Sequence, residues 1–175
     1  MSMGFLVDEQ TPMIWRGPMV ISALRTMTQK VVWKNLDIIV VDMPPGTGDT
    51  QLTFAQEIKV DGAVIVSTPQ DLALLDVKRG IQMFDKTGIN TIGLIDNMSF
   101  FKTEDGKNYN IFGKGGVEET AKEFNKSFLG KIPLSPDLTQ SVNTGMPLTH
   151  AKPEHKISKI FEDIAKKIKD ELFNS

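Results

Sequence analysis

The sequence predicts an α/β fold: a doubly wound, mostly parallel sheet with helices on both faces. Two observations predict it. Short apolar runs rich in β-branched residues recur at 37–41, 62–67, 91–95 and, more weakly, 127–130, each closing on a polar or Gly/Pro cluster, as strands buried on both faces do. Between them lie segments with apolar residues at helical spacing, and strand–helix alternation implies right-handed crossovers onto one parallel sheet.

The elements follow in order. Val20, Ala23, Leu24, Met27 and Val31 mark a helix before the first run, and Leu52, Ala55 and Ile58 mark one after it. Leu72, Leu75, Arg79 and Met83 continue the spacing after the second run, with Leu74, Val77, Ile81 and Phe84 making that helix apolar almost all round. Residues 99–116, rich in Gly and charge, read as a long loop before a helix at 118–124. Ile132-Pro133-Leu134-Ser135-Pro136-Asp137 is expected to break regular structure before a short helix near 138–142. A terminal helix at about 153–173 presents Ile157, Ile160, Phe161, Ile164, Ile168 and Leu172 to the core.

The 175 residues, 40% hydrophobic and 24% charged, suit a single domain spanning 1–175. No apolar run approaches the roughly 18 residues of a membrane span. With 20 Lys+Arg against 22 Asp+Glu there is no bulk positive field for nucleic acid or anionic lipid. The absence of Cys excludes disulfides, thiol nucleophiles and thiolate-held metals supplied by this chain. Nothing at the start reads as a signal peptide, so a cytoplasmic setting is the expectation.

In an open α/β sheet, ligands bind beyond the carboxyl ends of the strands. Ile38-Ile39-Val40-Val41 ends on Asp42 and is followed by Met43-Pro44-Pro45-Gly46-Thr47-Gly48-Asp49. A carboxylate there in a phosphate-binding protein holds Mg²⁺ through water. Gly46 and Gly48 let backbone N–H groups approach a phosphate oxygen. A strand ending in Asp before an ordinary Pro-Gly turn is the plainer alternative. Asn97, beyond the 91–95 run, reads on its own as an Asx turn or helix cap at a strand end.

Ile14-Trp15-Arg16-Gly17-Pro18-Met19, the 41–49 string, Ser67-Thr68-Pro69-Gln70-Asp71-Leu72-Ala73, Asp96-Asn97-Met98-Ser99 and Ile111-Phe112-Gly113-Lys114-Gly115-Gly116 resemble, in order and spacing, the Mrp/ApbC group of P-loop ATPases within the MinD/ParA-like class. The resemblance implies an ATP-dependent iron–sulfur cluster carrier: a homodimer with a slow Mg-ATPase cycle, serving an acceptor or scaffold protein. It implies that Asp42 is the Walker B carboxylate, that Asp42 and Gly46 are catalytic, and that Gly46, Thr47, Gly48 and Asp49 form a nucleotide-sensing switch. It also implies that Asn97 reads the adenine while Ile132, Pro133 and Leu134 close over it. ATP and Mg²⁺ are the cofactors it brings.

Two departures qualify this. The Gly-rich Walker A loop has no counterpart among the matched motifs. Its look-alike, Gly113-Lys114-Gly115-Gly116-Val117-Glu118-Glu119-Thr120, places two carboxylates where Gly-Lys is required. The chain is thus expected to be the C-terminal part of a longer ATPase, inactive alone and weak in ATP binding. Where many relatives carry C-x-x-C after N-M-S, this sequence has Thr103 and Gly106, which cannot bind iron as thiolates do. Glu104 and Asp105 are more simply solvated than metal-bound. His150 and His155 flank Lys152-Pro153 and signal no metal site or triad.

The alternative from another class is a MinD/ParA-like positioning ATPase that binds a membrane or other surface reversibly through the last helix. Its polar face mixes Lys156, Lys159, Lys166, Lys167 and Lys169 with Glu162, Asp163, Asp170 and Glu171, the pattern of a solvated helix packed by its apolar side. A dinucleotide-binding enzyme lacks its G-x-G-x-x-G.

Overall fold

The computed structural model describes residues 2, 17–43, 53 and 58–173, and the chain divides into two compact units, Met1–Lys59 and Val60–Ser175. In the first, α1 (Gly17–Gln29) buries Leu24 and half-buries Val20, Ala23 and Met27, as their spacing predicts. The Trp33 indole N–H donates to the Met27 carbonyl at 3.1 Å, satisfying one of the acceptors a helix C-terminus leaves open.

Residues 37–43 correct the sequence reading. They form no strand, and Ile38, Ile39, Val40 and Val41 are exposed, Val40 to 89%. An apolar run becomes a strand only by pairing, and among the described residues no strand pairs with this one. Of the helix expected after it, Leu52 and Ala55 lie outside the described residues.

The second unit runs β1 (Ala63–Ser67), α2 (Asp71–Thr87), β2 (Thr91–Lys102), β3 (Asn108–Tyr109), α3 (Gly116–Glu123), β4 (Phe128–Leu134), α4 (Pro136–Asn143), α5 (Leu148–Ala151) and α6 (Lys156–Phe173). β2 is central, paired in parallel with β1 and β4 and antiparallel with β3 at Phe101↔Tyr109. Alternation along β2 sends Leu94 to one face, where it packs with Val77, Ile81, Val117 and Ala121 of α2 and α3. Ile95 goes to the other, with Leu129, Ile132 and Ile164 of β4 and α6. Helices on both faces are thus as the sequence predicts.

Two boundaries and one buried face differ from expectation. β2 runs past Ile95 to Lys102, so part of the expected loop at 99–116 is a β-hairpin with β3. β4 includes Pro133 and ends only at Leu134. Among the described residues β4 pairs with β2 alone, and a strand with one free edge tolerates a residue that cannot donate. On α2, Val77, Ile81 and Met83 are the buried side while Leu72 and Leu75 are exposed.

Candidate functional site

Asn97, just beyond the apolar half of β2, stands beside Ile132 near the end of β4, its partner in the parallel register. Ile132 and Pro133 are buried. The Asn97 carboxamide oxygen accepts from the Met98 N–H at 3.0 Å, which fixes its plane and leaves the amide hydrogens as donors. Met98 itself sits at φ 54, a left-handed conformation costly for a side chain with a Cβ and concentrated at functional turns. Leu134 lies opposite Phe101, and together with Ser135, Pro136, Thr139, Gln140 and Asn143 they line a largely apolar groove of about 630 Å³. Asn97 and Ile132 therefore stand side by side in the register, with Pro133 and Leu134 following on β4, and of these four candidates Leu134 alone lines the groove.

The remaining candidates are placed differently. Asp42 is exposed in the unpaired stretch of the first unit. Gly46, Thr47, Gly48 and Asp49 lie outside the described residues, as do Ile14, Trp15 and Arg16 of the first motif.

Asp96 escaped the sequence reading. It is 1% exposed in the middle of β2, directly after the apolar run 91–95, and its Oδ1 has no hydrogen-bond partner. Burial pushes its carboxyl up, the Lys131 ammonium opposes this, and Glu118 adds to it. Lys131 instead donates to Glu118 at 2.9 Å, and Lys122 donates to the same carboxylate at 3.1 Å. These two bonds hold Glu118 below the usual carboxylate range, Lys131 first. The available signal was the one used for Asp42, an acid closing an apolar strand.

The 113–120 look-alike is built for packing. A Cβ on Gly116 would lie 2.5 Å from Leu74 Cδ1 and 3.1 Å from the Pro69 carbonyl, so that glycine serves the α2–α3 contact. Glu118 is committed to lysines. Rejecting this loop as a phosphate cradle stands on this geometry as well as on charge.

Thr103 and Gly106 form a tight turn. The Gly106 N–H donates to the Thr103 carbonyl at 2.9 Å and the Thr103 N–H to the Lys107 carbonyl at 3.0 Å. Gly106 takes φ 84, the left-handed residue of a bulged hairpin loop. The Thr103 hydroxyl donates to Asp105, which also pairs with Lys107 at 3.1 Å, and these bonds, Thr103 foremost, hold Asp105 below the usual range. The donor set here is a hydroxyl, a carboxylate and backbone, unsuited to an iron–sulfur cluster. Among the described residues no group of three or more metal-ligating side chains occurs. His155 accepts the Ile157 N–H on Nδ1 at 3.3 Å, so it caps the start of α6.

The open, parallel-dominant sheet between helical layers gives this protein a P-loop NTPase-like architecture. The solved nucleotide-binding protein of Archaeoglobus fulgidus, in complex with ADP, is similar with a TM-score of 0.69 and 33% identity over 82% of this chain and 58% of that one. The cell division ATPase MinD of Pyrococcus furiosus, 20% identical over 89% of this chain and 59% of its own, shares the fold with a TM-score of 0.62. A family model described as "ParA: NUBPL iron-transfer P-loop NTPase" matches residues 1–169, and the chain belongs to that family. An Arabidopsis thaliana protein named as an iron–sulfur protein required for NADH dehydrogenase, mitochondrial, is 47% identical over 96% of this chain and 54% of its own length. The iron–sulfur cluster transfer protein NUBPL of Dictyostelium discoideum is 46% identical over 98% of this chain and 54% of its own length. The iron–sulfur cluster carrier protein of Escherichia coli strain K12 is 43% identical over 98% and 47%. The chain thus spans about half the length of these curated relatives.

Proposed function

We propose that this chain supplies the adenine-reading part of an ATP-dependent iron–sulfur cluster carrier, acting as a homodimer in the cytoplasm and passing its cargo to an acceptor protein. The observation that carries the reading is the Asn97–Ile132 pairing beside the Phe101–Leu134 groove. A carboxamide with oriented donors on the strand that further along lines an apolar groove suits a flat base with a hydrogen-bonding edge. Asn97 would read that edge, and Ile132, Pro133 and Leu134 would wall it. Asp42 would hold Mg²⁺ through water, and Gly46 to Asp49 would respond to the phosphates. Bound Mg-ATP would supply the phosphoryl chemistry. The cargo finds no thiolate in these 175 residues, so its sulfur ligands would come from elsewhere.

A surface-positioning role is the less supported reading. The face of α6 that an anchor would need is buried: Ile157 and Ile164 are core residues, and Ile160, Phe161 and Ile168 pack against them or their neighbours. Among the described residues no helix is long and apolar enough to cross a membrane.

Titrating the isotope-labelled chain with AMP at millimolar concentration tests the reading. Amide shifts centred on Asn97, Ile132 and Leu134, lost in Asn97→Ala, are expected. Shifts confined to other parts of the chain would overturn it. Sedimentation of the same sample over a concentration series tests the dimer.

A further inference from the structure

Between Asn97 and Phe101 the two strands fall out of step. Four residue steps on β2 are matched by two on β4, from Ile132 to Leu134. Met98 turns through its left-handed φ in this interval, and Pro133 has no N–H to offer. Backbone pairing holds Asn97 against Ile132 and Phe101 against Leu134, but the register gives Met98, Ser99 and Phe100 no partner on β4, so the chain between these two points is not fixed by the ladder. At this gap the Ser99 hydroxyl donates to the Ile132 carbonyl at 3.1 Å, in a bond that is itself buried. Ser99 is 4% exposed.

We propose that Ser99 is a positioning residue for base recognition: its hydroxyl pins the Ile132–Leu134 wall at a fixed distance from the Asn97 carboxamide. The inference rests on the adenine reading of Asn97 given above. The three residues then divide the work. Asn97 presents donors, Met98 turns the backbone so that its N–H orients the Asn97 amide, and Ser99 holds the opposite wall. A buried hydroxyl that spans a lapse in a ladder also contributes stability, but stability alone gives it no preference among bases. Discrimination between bases is the property that separates the two roles. A wall free to shift by a few tenths of an ångström still admits a ring, while its fit to one hydrogen-bonding edge is lost.

The test uses the labelled chain titrated with AMP, GMP and ribose 5-phosphate, with folding followed by circular dichroism. The wild type is expected to prefer AMP over GMP, and Asn97→Ala to lose that preference. Ser99→Ala should cut the AMP preference at least about fivefold, with ribose 5-phosphate binding unchanged. Ser99→Cys, which keeps the volume and weakens the donor, should do the same if the alanine variant folds poorly. Ser99→Thr, which keeps the hydroxyl, should retain the preference. If Asn97→Ala loses discrimination while Ser99→Ala and Ser99→Cys keep it, the role given to Ser99 is wrong and the adenine reading stands. If the wild type has no preference for AMP, the adenine reading falls and the Ser99 role falls with it.

Discussion

The Lys167 ammonium on α6 donates to the Leu129 carbonyl at 2.6 Å, at the point where β4 slips against β2. The register passes from Leu94↔Phe128 to Ile95↔Gly130, so Leu129 is the extra residue of a bulge. A long cation reaching along the helix flank satisfies a carbonyl in the disrupted stretch of the ladder.

Lys167→Met keeps the aliphatic stem and removes the donor. It should cost about 1 kcal/mol, the usual net worth of such a bond, seen as a lower urea midpoint with an unchanged slope. Lys166→Met, on the exposed side of the same helix, is the control and should leave the midpoint in place.

Ile164 is nearly buried against Ile95, Leu129 and Ile132. Truncating it to Ala removes three methyl-sized groups from a packed layer, and a loss of about 3 kcal/mol is expected. Equilibrium unfolding would read this directly. A change under 1 kcal/mol would mean that α6 is not seated on the sheet as described.

The Asp96 carboxyl is raised by burial, so the folded state holds its proton more tightly than the unfolded chain. Its ionisation therefore weakens the fold as pH rises from about 4, the unfolded value, through its folded value. Asp96→Asn should raise the melting temperature at pH 7 relative to wild type, and the difference should vanish below pH 4. Glu118→Gln releases Lys131 and removes a neighbouring charge, so Asp96 should then titrate lower by carboxyl-detected NMR. An unchanged titration would break the link drawn among these three residues.

Asp137 is held below the usual range, chiefly by its hydrogen bond from Lys152 at 2.9 Å, with His155 contributing. Here the folded value lies under the unfolded one. The stabilisation is full above about pH 4 and disappears as pH falls through the folded value. Lys152→Met should lower the melting temperature at pH 7 and have no effect at pH 2. An equal loss at both would assign the effect to packing.

Anaerobic reconstitution with iron and sulfide should leave the chain colourless, with no stoichiometric iron after desalting, because it contains no cysteine. Retained iron and sulfide with charge-transfer absorption would demand a site of another kind. Glu104, Asp105, His150 and His155 would then be the first residues to substitute.

The parts of the fold legible in the sequence were those where periodicity and burial coincide. The Ile157-Ile160-Phe161-Ile164 spacing located α6, and the 91–95 run located the centre of the sheet. What stayed hidden depended on partners. Asp96-Asn97-Met98-Ser99 reads as a strand end because it is polar, yet β4 and β3 extend pairing beyond it. The 37–41 run has strand composition but no described neighbour to pair with. On α2, apolar residues on nearly every side left the buried stripe undetermined until Leu94 and Val117 supplied its contacts. At the candidate site, Asn97 and the Ile132–Leu134 wall were named from sequence. Ser99 and Asp96 required the three-dimensional register, since their meaning lies in which carbonyl or ammonium stands across the strand.

Pro133 and the bulge at Leu129 give the sheet two unlike borders. Along β4, a residue that cannot donate and a carbonyl already taken by Lys167 interrupt the row of groups that another strand would need. β1 has no such interruption: five residues without proline, paired on one side only among the described residues, with Val66 exposed. Growth of this sheet is therefore one-directional. Whatever strand joins it, from the same polypeptide or another molecule, meets an interrupted border along β4, on the side of the Phe101–Leu134 groove, and an open one at the opposite flank.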